Sequence, residues 1–540
     1  MRHLEEAQPI RFQLSFDLDI KQPIIKQMKA LAKIPLPSIR DAVLSPGALK
    51  ARLEAIAIAL VLAFSTLLYL LTLYSGIGGR INYGDSVKWQ FLWAIDGTPH
   101  STGYPLFLMI TKLFGELLTF VEPYYRISAV SLVFGVFALV PVYLITKEIT
   151  SVIYLRVASP LLLALSSTYW SQSTEPEVYT LSVFLLTLCI WLLMRFVRGG
   201  SIGFLFASLV VYAASFGNHL TASMLVPAYI YAILSSSRRR QALKAILIML
   251  PLLVLLSIGQ YAYIYYLSHK GSAYLGYIGK NASIWKLLDY STGGQFRDIL
   301  GSSLKSPKVL AAQVAKFLYI FHRDLRLPLF LVAIYSIWSN LVFSLKGISA
   351  VGMGALWRHQ VSDVGALRKA KTVLLLAILF QSMYALSYPI SDIQTYYLSI
   401  YSFLIPLSMS SVGDFVVSTS LGSRKLIRNI VICALLGTLA VQFVYGFREN
   451  KPRDNTIEST VKEIFNMIPE SSSLYVDPRE DYHLYEAFWY YSVLGMPEKD
   501  VKIEKNEVKG YLVRKNGESY LLESVIESDS AVIGVLGGGK

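Results

Sequence analysis

Gly84-Asp85-Ser86 places a carboxylate next to a residue that leaves the backbone room to turn. Such a carboxylate can take a proton from a hydroxyl, as a general base must. An Asp-Ser pair ahead of an apolar run is equally an ordinary helix start. The stretch Thr98 to Pro105 follows, with His100 and Tyr104 among turn-forming residues. Further on, Trp170-Ser171-Gln172-Ser173-Thr174-Glu175-Pro176-Glu177-Val178-Tyr179 sets two carboxylates about a proline. Glu175 or Glu177 suits orienting a sugar hydroxyl or holding a metal, while Pro176 and Glu177 equally suit the first turn of a helix. In Gly217-Asn218-His219 the imidazole can donate to a phosphate oxygen at the head of a helix, or simply bond a nearby carbonyl. Trp285 precedes Ser291-Thr292-Gly293-Gly294-Gln295-Phe296-Arg297, where backbone amides and a guanidinium suit an anion, though Gly-Gly is also a plain loop. Asp392 sits in a short turn beside Tyr396 and Tyr397, which a membrane interface favours on its own account.

Several chemistries are excluded. There is no His-x-x-His pair, P-loop or Gly-x-Ser-x-Gly elbow, which argues against a zinc protease, an ATPase and an α/β-hydrolase. Cys189 and Cys433 both lie in apolar runs, so neither a disulfide framework nor a thiolate metal site is expected. Asn281-Ala282-Ser283 fits a glycosylation sequon. The net charge of +14 comes from basic residues between apolar runs, where lipid headgroups and topology account for it, so no nucleic-acid partner is expected.

The elements that must position these residues are membrane helices. In 540 residues, 54% are hydrophobic and only 16% charged, with a mean hydropathy of +0.48, too apolar for one water-soluble core. A bilayer core takes roughly 20 apolar helical residues to cross, and about eleven such runs are predicted. They fall near 55–75, 126–146, 153–170, 177–195, 201–216, 219–235, 243–267, 327–345, 372–389, 396–412 and 429–446. The first fifty or so residues are polar, so the first run reads as an uncleaved span rather than a signal peptide.

Lys and Arg gather in cytoplasmic loops, and they fix the orientation. Lys26, Lys29, Lys33, Arg40, Lys50 and Arg52 put the N-terminus inside. Alternate loops then carry Lys147 and Arg156, Arg195 and Arg198, Arg238 to Arg240 with Lys244, Lys346 to Lys371, and Arg424 to Arg428. The opposite short loops, 171–176, 217–218 and 390–395, have no Lys or Arg. This alternation requires that 104–120, with Lys112 and Glu116 in a short amphipathic pattern, does not cross, and 85–96 and 104–120 are read as two juxtamembrane helices in the first outer loop. The expected organisation is a cytoplasmic extension over 1–54, a membrane domain over 55–446 with outer loops near 76–125 and 268–326, and an outer C-terminal domain over 447–540. Helical patterns near 457–468 and 483–494 and an Asn516-Gly517 turn give that last part a small α/β character. The candidate residues all fall on the outer side.

In this order, Gly84-Asp85-Ser86, His100 to Pro105, Trp170-Ser171-Gln172 with Glu177-Val178-Tyr179, Gly217-Asn218-His219, Trp285 with Gly294 to Arg297, and Ile390 to Ile393 resemble the protein O-mannosyltransferase family typified by transmembrane protein 260. The resemblance spans about residues 80–410; Ser101-Thr102 departs from it where the family commonly has two prolines. It implies an all-α polytopic fold of the C-type glycosyltransferase kind, with juxtamembrane helices in the first outer loop. It further implies a sugar, mannose first, moved with inversion from a polyprenyl-phosphate donor to a hydroxyl acceptor, protein Ser or Thr first. On that reading Asp85 is the base. His100, Tyr104, Glu175, Glu177, Tyr179, Asn218, His219, Trp285, Gln295, Arg297 and Asp392 line the substrate site, with His219 and Arg297 facing the leaving phosphate. No cofactor is implied beyond the lipid-linked donor, and room is left for a divalent metal whose ligands the sequence does not display. Partners are membrane lipid, the donor and a protein or glycan acceptor. The site is extracytoplasmic or lumenal, in a plasma membrane if the host is prokaryotic and in the endoplasmic reticulum if it is eukaryotic.

Two rival readings remain: a transferase acting on a lipid or glycan acceptor, and a transporter or flippase for a lipid-linked substrate. Transporters concentrate ionisable groups at the midplane and often show repeated halves. Neither feature stands out in this sequence.

Overall fold

The computed structural model describes residues 46–345, 364–452, 456–476, 482–505, 511–515, 518–527 and 530–536. The expectations for the extension up to residue 45, for Lys346 and Arg358, and for the Asn516-Gly517 turn lie outside the described residues. Contacts divide the chain into two units after Ala57. The described residues of the first unit belong to the helix Pro46–Leu71, while the bundle, the outer helices and the C-terminal segment belong to the unit that begins at Ile58.

The protein is a polytopic helical membrane protein. Among the described residues, eight helical stretches are long and apolar enough to cross a bilayer: Ala48–Leu71, Pro123–Ile149, Tyr179–Val197, Arg239–Lys270, Pro307–Ser344, Val364–Ser387, Ile393–Ser418 and Ser423–Asn450. Three shorter apolar helices, Ile153–Ala164, Ile202–Ser215 and Leu220–Ser235, fall where the sequence predicts the remaining spans. Their shortness has local causes. Ile153–Ala164 stops before a separate short helix, Ser167–Gln172, and the stretch from Leu220 begins as a 3-10 turn that becomes α-helical at Val226, with Pro227 in its first turn. The long run Pro307–Leu345 breaks at Arg326, where φ is 66°, so the predicted span 327–345 is its second part.

Tyr179–Val197 and Ile393–Ser418 form the centre of the bundle, with 78% of each apolar window buried, whereas Arg239–Lys270 keeps only 11% buried and turns its Leu and Ile side chains outward. Outward Leu247 and Ile248 are what a lipid-facing helix should show. The Trp170 motif is part of this frame: Trp170 is fully buried and its indole N–H donates to Thr72 Oγ1 at 2.7 Å. The Tyr169 hydroxyl donates to the Gly135 carbonyl at 2.6 Å, and the Tyr69 hydroxyl to that of Ala164 at 2.9 Å. These bonds lock neighbouring helices where no water can replace them.

A second core lies apart from the bundle core. It joins Val87, Phe91 and Leu92 of the helix Tyr83–Leu92 and Phe107 of the helix Pro105–Leu117 to Phe465, Leu484 and Phe488 of the C-terminal segment. The expected juxtamembrane helices near 85–96 and 104–120 are these two. The C-terminal segment contributes the helices Thr456–Met467 and Tyr482–Tyr490 and a five-stranded sheet. With β1 Ser473–Val476, β2 Lys502–Lys505, β3 Tyr511–Lys515, β4 Glu518–Glu527 and β5 Ser530–Leu536, the order is β2-β1-β3-β4-β5. β1 runs parallel to β2, and the other pairs are antiparallel.

Candidate active site

The helix Tyr83–Leu92 is capped by Asn82, whose side chain accepts from the Asp85 backbone N–H at 3.3 Å. Asp85 is therefore free of the capping duty its sequence also suited, and it sits in the first turn at the positive end of the helix dipole. Four groups surround its carboxylate. Asn82 Nδ2 donates to Oδ2 at 2.7 Å, Lys88 Nζ to Oδ1 at 2.8 Å and the Tyr482 hydroxyl to Oδ1 at 2.6 Å, while His100 Nε2 stands 3.5 Å from Oδ1. Burial alone would raise the Asp85 pKa, but Lys88 and then His100 outweigh it and hold the carboxyl well below the usual carboxylate range. Burial would likewise discharge Lys88, and the Asp85 and Glu486 carboxylates keep its ammonium charged.

The other acids are linked to Asp85 through intermediaries. Asn82 Nδ2 also reaches Asp392 Oδ2 at 3.5 Å, and the Ser86 hydroxyl reaches Glu177 Oε1 at 3.4 Å. Burial, and secondarily the Asp85 charge, push the Asp392 carboxyl up. Glu175 is tied into the frame instead: the Ser171 hydroxyl donates to it at 3.0 Å, Gln172 and the Arg80 backbone N–H donate as well, and the Arg80 guanidinium lies 3.9 Å away. Among the described residues, no group of three or more His, Cys, Asp and Glu side chains is arranged to hold a metal ion.

His219 lies in a tyrosine box. Its ring is 5.8 Å from Tyr104, 5.8 Å from Tyr179 and 5.1 Å from Tyr396 between centroids, and His100 meets Tyr104 at 5.4 Å. Nδ1 accepts from the Thr221 backbone N–H at 3.2 Å, which assigns the neutral-ring proton to Nε2. That Nε2 is buried without a hydrogen-bond partner among the described residues. His219 lines a small cavity of about 10 Å³ together with Tyr179, Ser182, Thr221, Thr395, Tyr396 and Ser399 among others. Asn218 serves the backbone, donating to the Val178 carbonyl at 3.2 Å.

The His100 loop and much of this box come from one continuous stretch of chain. Residues 94–242 match the family model of the protein O-mannosyl-transferase TMEM260 N-terminal domain. The family that the sequence motifs resemble is thus the one this stretch matches. Among solved structures, the chain is 13% identical to the Archaeoglobus fulgidus oligosaccharyltransferase in complex with zinc and sulfate, over 78% of this chain and 57% of that one, with a TM-score of 0.49. The chain therefore spans little more than half the length of that protein. It is 9% identical to ArnT from Cupriavidus metallidurans bound to undecaprenyl phosphate, over 83% of this chain and 89% of that one, with a TM-score of 0.47. Comparison with curated proteins gives no match.

The TMEM260 stretch supplies His100, Tyr104, Glu175, Glu177, Tyr179, Asn218 and His219, while Asp85 and Asp392 reach the same place from outside it. Of the long loop, Gln295 arrives, its Oε1 accepting from the Ser101 backbone N–H at 3.2 Å, and Phe296 meets His100 with ring centroids 5.5 Å apart. Arg297 does not join them: it is exposed and paired with Asp289 at 2.9 Å. Trp285 is likewise exposed, on the outer surface of its helix.

Sequence reasoning missed Lys88, Tyr482, His483 and Glu486. The Asp85–Lys88 spacing of three on one helix was a usable sign, since such residues share a face. The others come from the helix Tyr482–Tyr490, which packs on Tyr83–Leu92. There His483 Nδ1 accepts from the Gly84 N–H at 3.1 Å, Tyr274 donates to Glu486 Oε1 at 2.6 Å, and Lys88 Nζ sits 4.0 Å from Glu486 and 4.9 Å from the Tyr482 ring centre.

Proposed function

We propose that this protein is a membrane glycosyltransferase of the C type, moving a sugar, mannose first, from a polyprenyl-phosphate donor to an acceptor hydroxyl, protein Ser or Thr first, with inversion. The observation that carries this reading is the place of Asp85, on the helix Tyr83–Leu92 with His100 of the TMEM260-like stretch 3.5 Å from its carboxylate. The acceptor oxygen attacks the anomeric carbon as the bond to the phosphate oxygen breaks, and the acceptor proton passes to Asp85. The lipid phosphate leaves with the bonding pair. His219 Nε2–H, buried and without a hydrogen-bond partner among the described residues, is suited to donate to the departing oxygen, where developing charge rewards a preplaced donor. Arg297 keeps a part in this reading only if donor binding draws it away from Asp289.

The chemistry belongs at a membrane boundary, because the donor tail stays in lipid while the acceptor comes from water. The charge pattern of the loops supports the outer face. The test incubates the purified full-length protein with polyprenyl-phosphate mannose and Ser/Thr-rich peptides, with glycan acceptors in parallel. Asp85→Asn should lower transfer by about 10²–10⁴-fold, the range for a lost general base. Equal transfer by both proteins would remove Asp85 from this role. Transfer from a different polyprenyl-phosphate sugar alone would replace mannose, and transfer to glycans alone would replace the protein acceptor.

A further inference from the structure

The hydroxyl on Asp85 belongs to the protein itself. Tyr482 donates to Asp85 Oδ1 at 2.6 Å, the geometry an acceptor hydroxyl needs in order to surrender its proton there. While Tyr482 stays, Lys88 and Tyr482 take both lone pairs of Oδ1, whereas Oδ2 carries only Asn82, so a further donor meets the tyrosine at Oδ1. The helix carrying Tyr482 is held by reversible polar contacts at its near end: Gly84 N–H to His483, and the Lys88–Glu486 pair. Its far end is anchored by apolar packing, with Phe488 in the outer core and Trp489 stacked on Phe91 at 6.2 Å.

Resting on the glycosyltransferase reading, we propose that the helix Tyr482–Tyr490 forms the acceptor-side wall of the active site, and that Tyr482 is its specificity-determining residue, keeping the acceptor's place on Asp85 until an acceptor hydroxyl displaces it. Two consequences arise from the chemistry. Water, the smallest competing acceptor, is kept off Oδ1 while no acceptor is bound, so the donor is hydrolysed more slowly. When an acceptor moves Tyr482 aside, its own hydroxyl takes over the bond to Oδ1, so the base receives a proton only from the group that must lose one. An acceptor also has to make contacts that replace the tyrosine's ring contact with Lys88, which favours one able to lie along an aromatic wall.

Tyr482→Phe keeps the ring and removes the hydroxyl. In the full-length protein it removes both the Tyr482 bond to Asp85 and the Lys88 bond to Tyr482, and it should lower KM for an acceptor peptide and raise hydrolysis of polyprenyl-phosphate mannose, each by about tenfold or more, with kcat for transfer little changed. A fallen kcat with KM and hydrolysis unchanged would overturn the proposal, leaving Tyr482 as a positioning residue for Asp85. A second variant works by displacement. A Cβ on Gly84 would stand 2.5 Å from the Tyr482 ring, so Gly84→Ala must push the tyrosine off and should raise hydrolysis as well. Hydrogen exchange separates this proposal from the function it rests on. Residues 482–490 should be protected in the wild type and faster in both variants, and fast exchange in the wild type would refute the wall whatever the enzyme does. A protected helix in a protein that turns over no polyprenyl-phosphate sugar would instead sink the glycosyltransferase reading, and this proposal with it.

Discussion

At the scale of single residues, the site keeps its acids in opposite states. Asp85 is held ionised by Lys88 and His100, while Glu486 on the far side of the same lysine is pushed up to about 7, chiefly by burial, with Lys88 and Tyr274 opposing and Asp85 adding. A raised carboxyl pKa means the folded state holds the proton more tightly than the unfolded chain, so this stabilisation is full below the ordinary glutamate value and is lost as pH rises through about 7. The shift from 4.5 is worth about 3 kcal/mol at roughly 1.4 kcal/mol per pH unit. Thermal unfolding of the wild type should therefore weaken from about pH 5 to about pH 8, and Glu486→Gln, which cannot ionise, should flatten that slope. Identical slopes in the two proteins would show that Glu486 does not titrate there. Asp85 was legible in the sequence as a candidate only, since the same Asp-Ser pair suits an ordinary helix start and the family resemblance is what singled it out. Its partners Tyr482 and Glu486 were not legible, since 397 residues separate Asp85 from Tyr482 and no local pattern bridges that distance.

At the scale of elements, the decisive piece is the turn from Thr98 to Tyr104, which hangs His100 over Asp85. It is held from outside by the loop after Lys270. Thr98 N–H bonds the Tyr274 carbonyl at 3.1 Å, Gly276 N–H bonds the Thr98 carbonyl at 3.0 Å, and the Tyr290 hydroxyl donates to the Pro99 carbonyl at 2.8 Å. The loop approaches so closely that a Cβ on Gly276 would lie 2.1 Å from the Pro99 oxygen. Gly276→Ala must shift this turn, and it should cost about 1–3 kcal/mol of stability along with about tenfold or more in kcat as His100 leaves its position. Unfolding temperature and transfer rate check this together. Gly365→Ala, where nothing lies within 4 Å on a helix that favours alanine, serves as the control that should lose neither. The sequence showed a short helix over 104–120, because its amphipathic pattern and the Lys/Arg alternation both argued against a span, and the two short helices Tyr83–Leu92 and Pro105–Leu117 do lie in this region. It also flagged the loop over 268–326 as too long for a connector. What it could not show is the bridge between Thr98 and Leu275, since backbone pairing of isolated loop residues leaves no side-chain pattern.

At the scale of the whole molecule, the described residues form two hydrophobic clusters, one within the bundle and one that joins the helix Tyr83–Leu92 and parts of the helices Pro123–Phe137 and Tyr179–Val197 to Phe465, Leu484 and Phe488 of the C-terminal segment. Hydropathy made the bundle legible, since lipid-facing and buried helices are both apolar, and the change of composition after residue 446 marked off a C-terminal part with its own helices and strands. Composition alone describes such a part as a separate appendage. The outer core argues otherwise, because Val87, Phe91 and Leu92 are covered only with the help of Leu484, Phe488 and Trp489, and buried Lys88 finds Glu486 there. Uncovering each large apolar side chain costs about 1.5–3 kcal/mol, more than a ten-residue helix can supply from its own hydrogen bonds. A chain ending at Lys451 should therefore still insert its bundle, while the helix Tyr83–Leu92 loses its structure. Hydrogen exchange over residues 83–92 should approach that of an open loop, with the central helix Tyr179–Val197 still protected. If residues 83–92 stayed as slow as in the full chain, the C-terminal part would be an appendage after all. If exchange rises only there, the helix that carries Asp85 owes its fold to a segment almost 400 residues away, and on the proposed function removing that segment should abolish transfer without changing a residue of the membrane bundle.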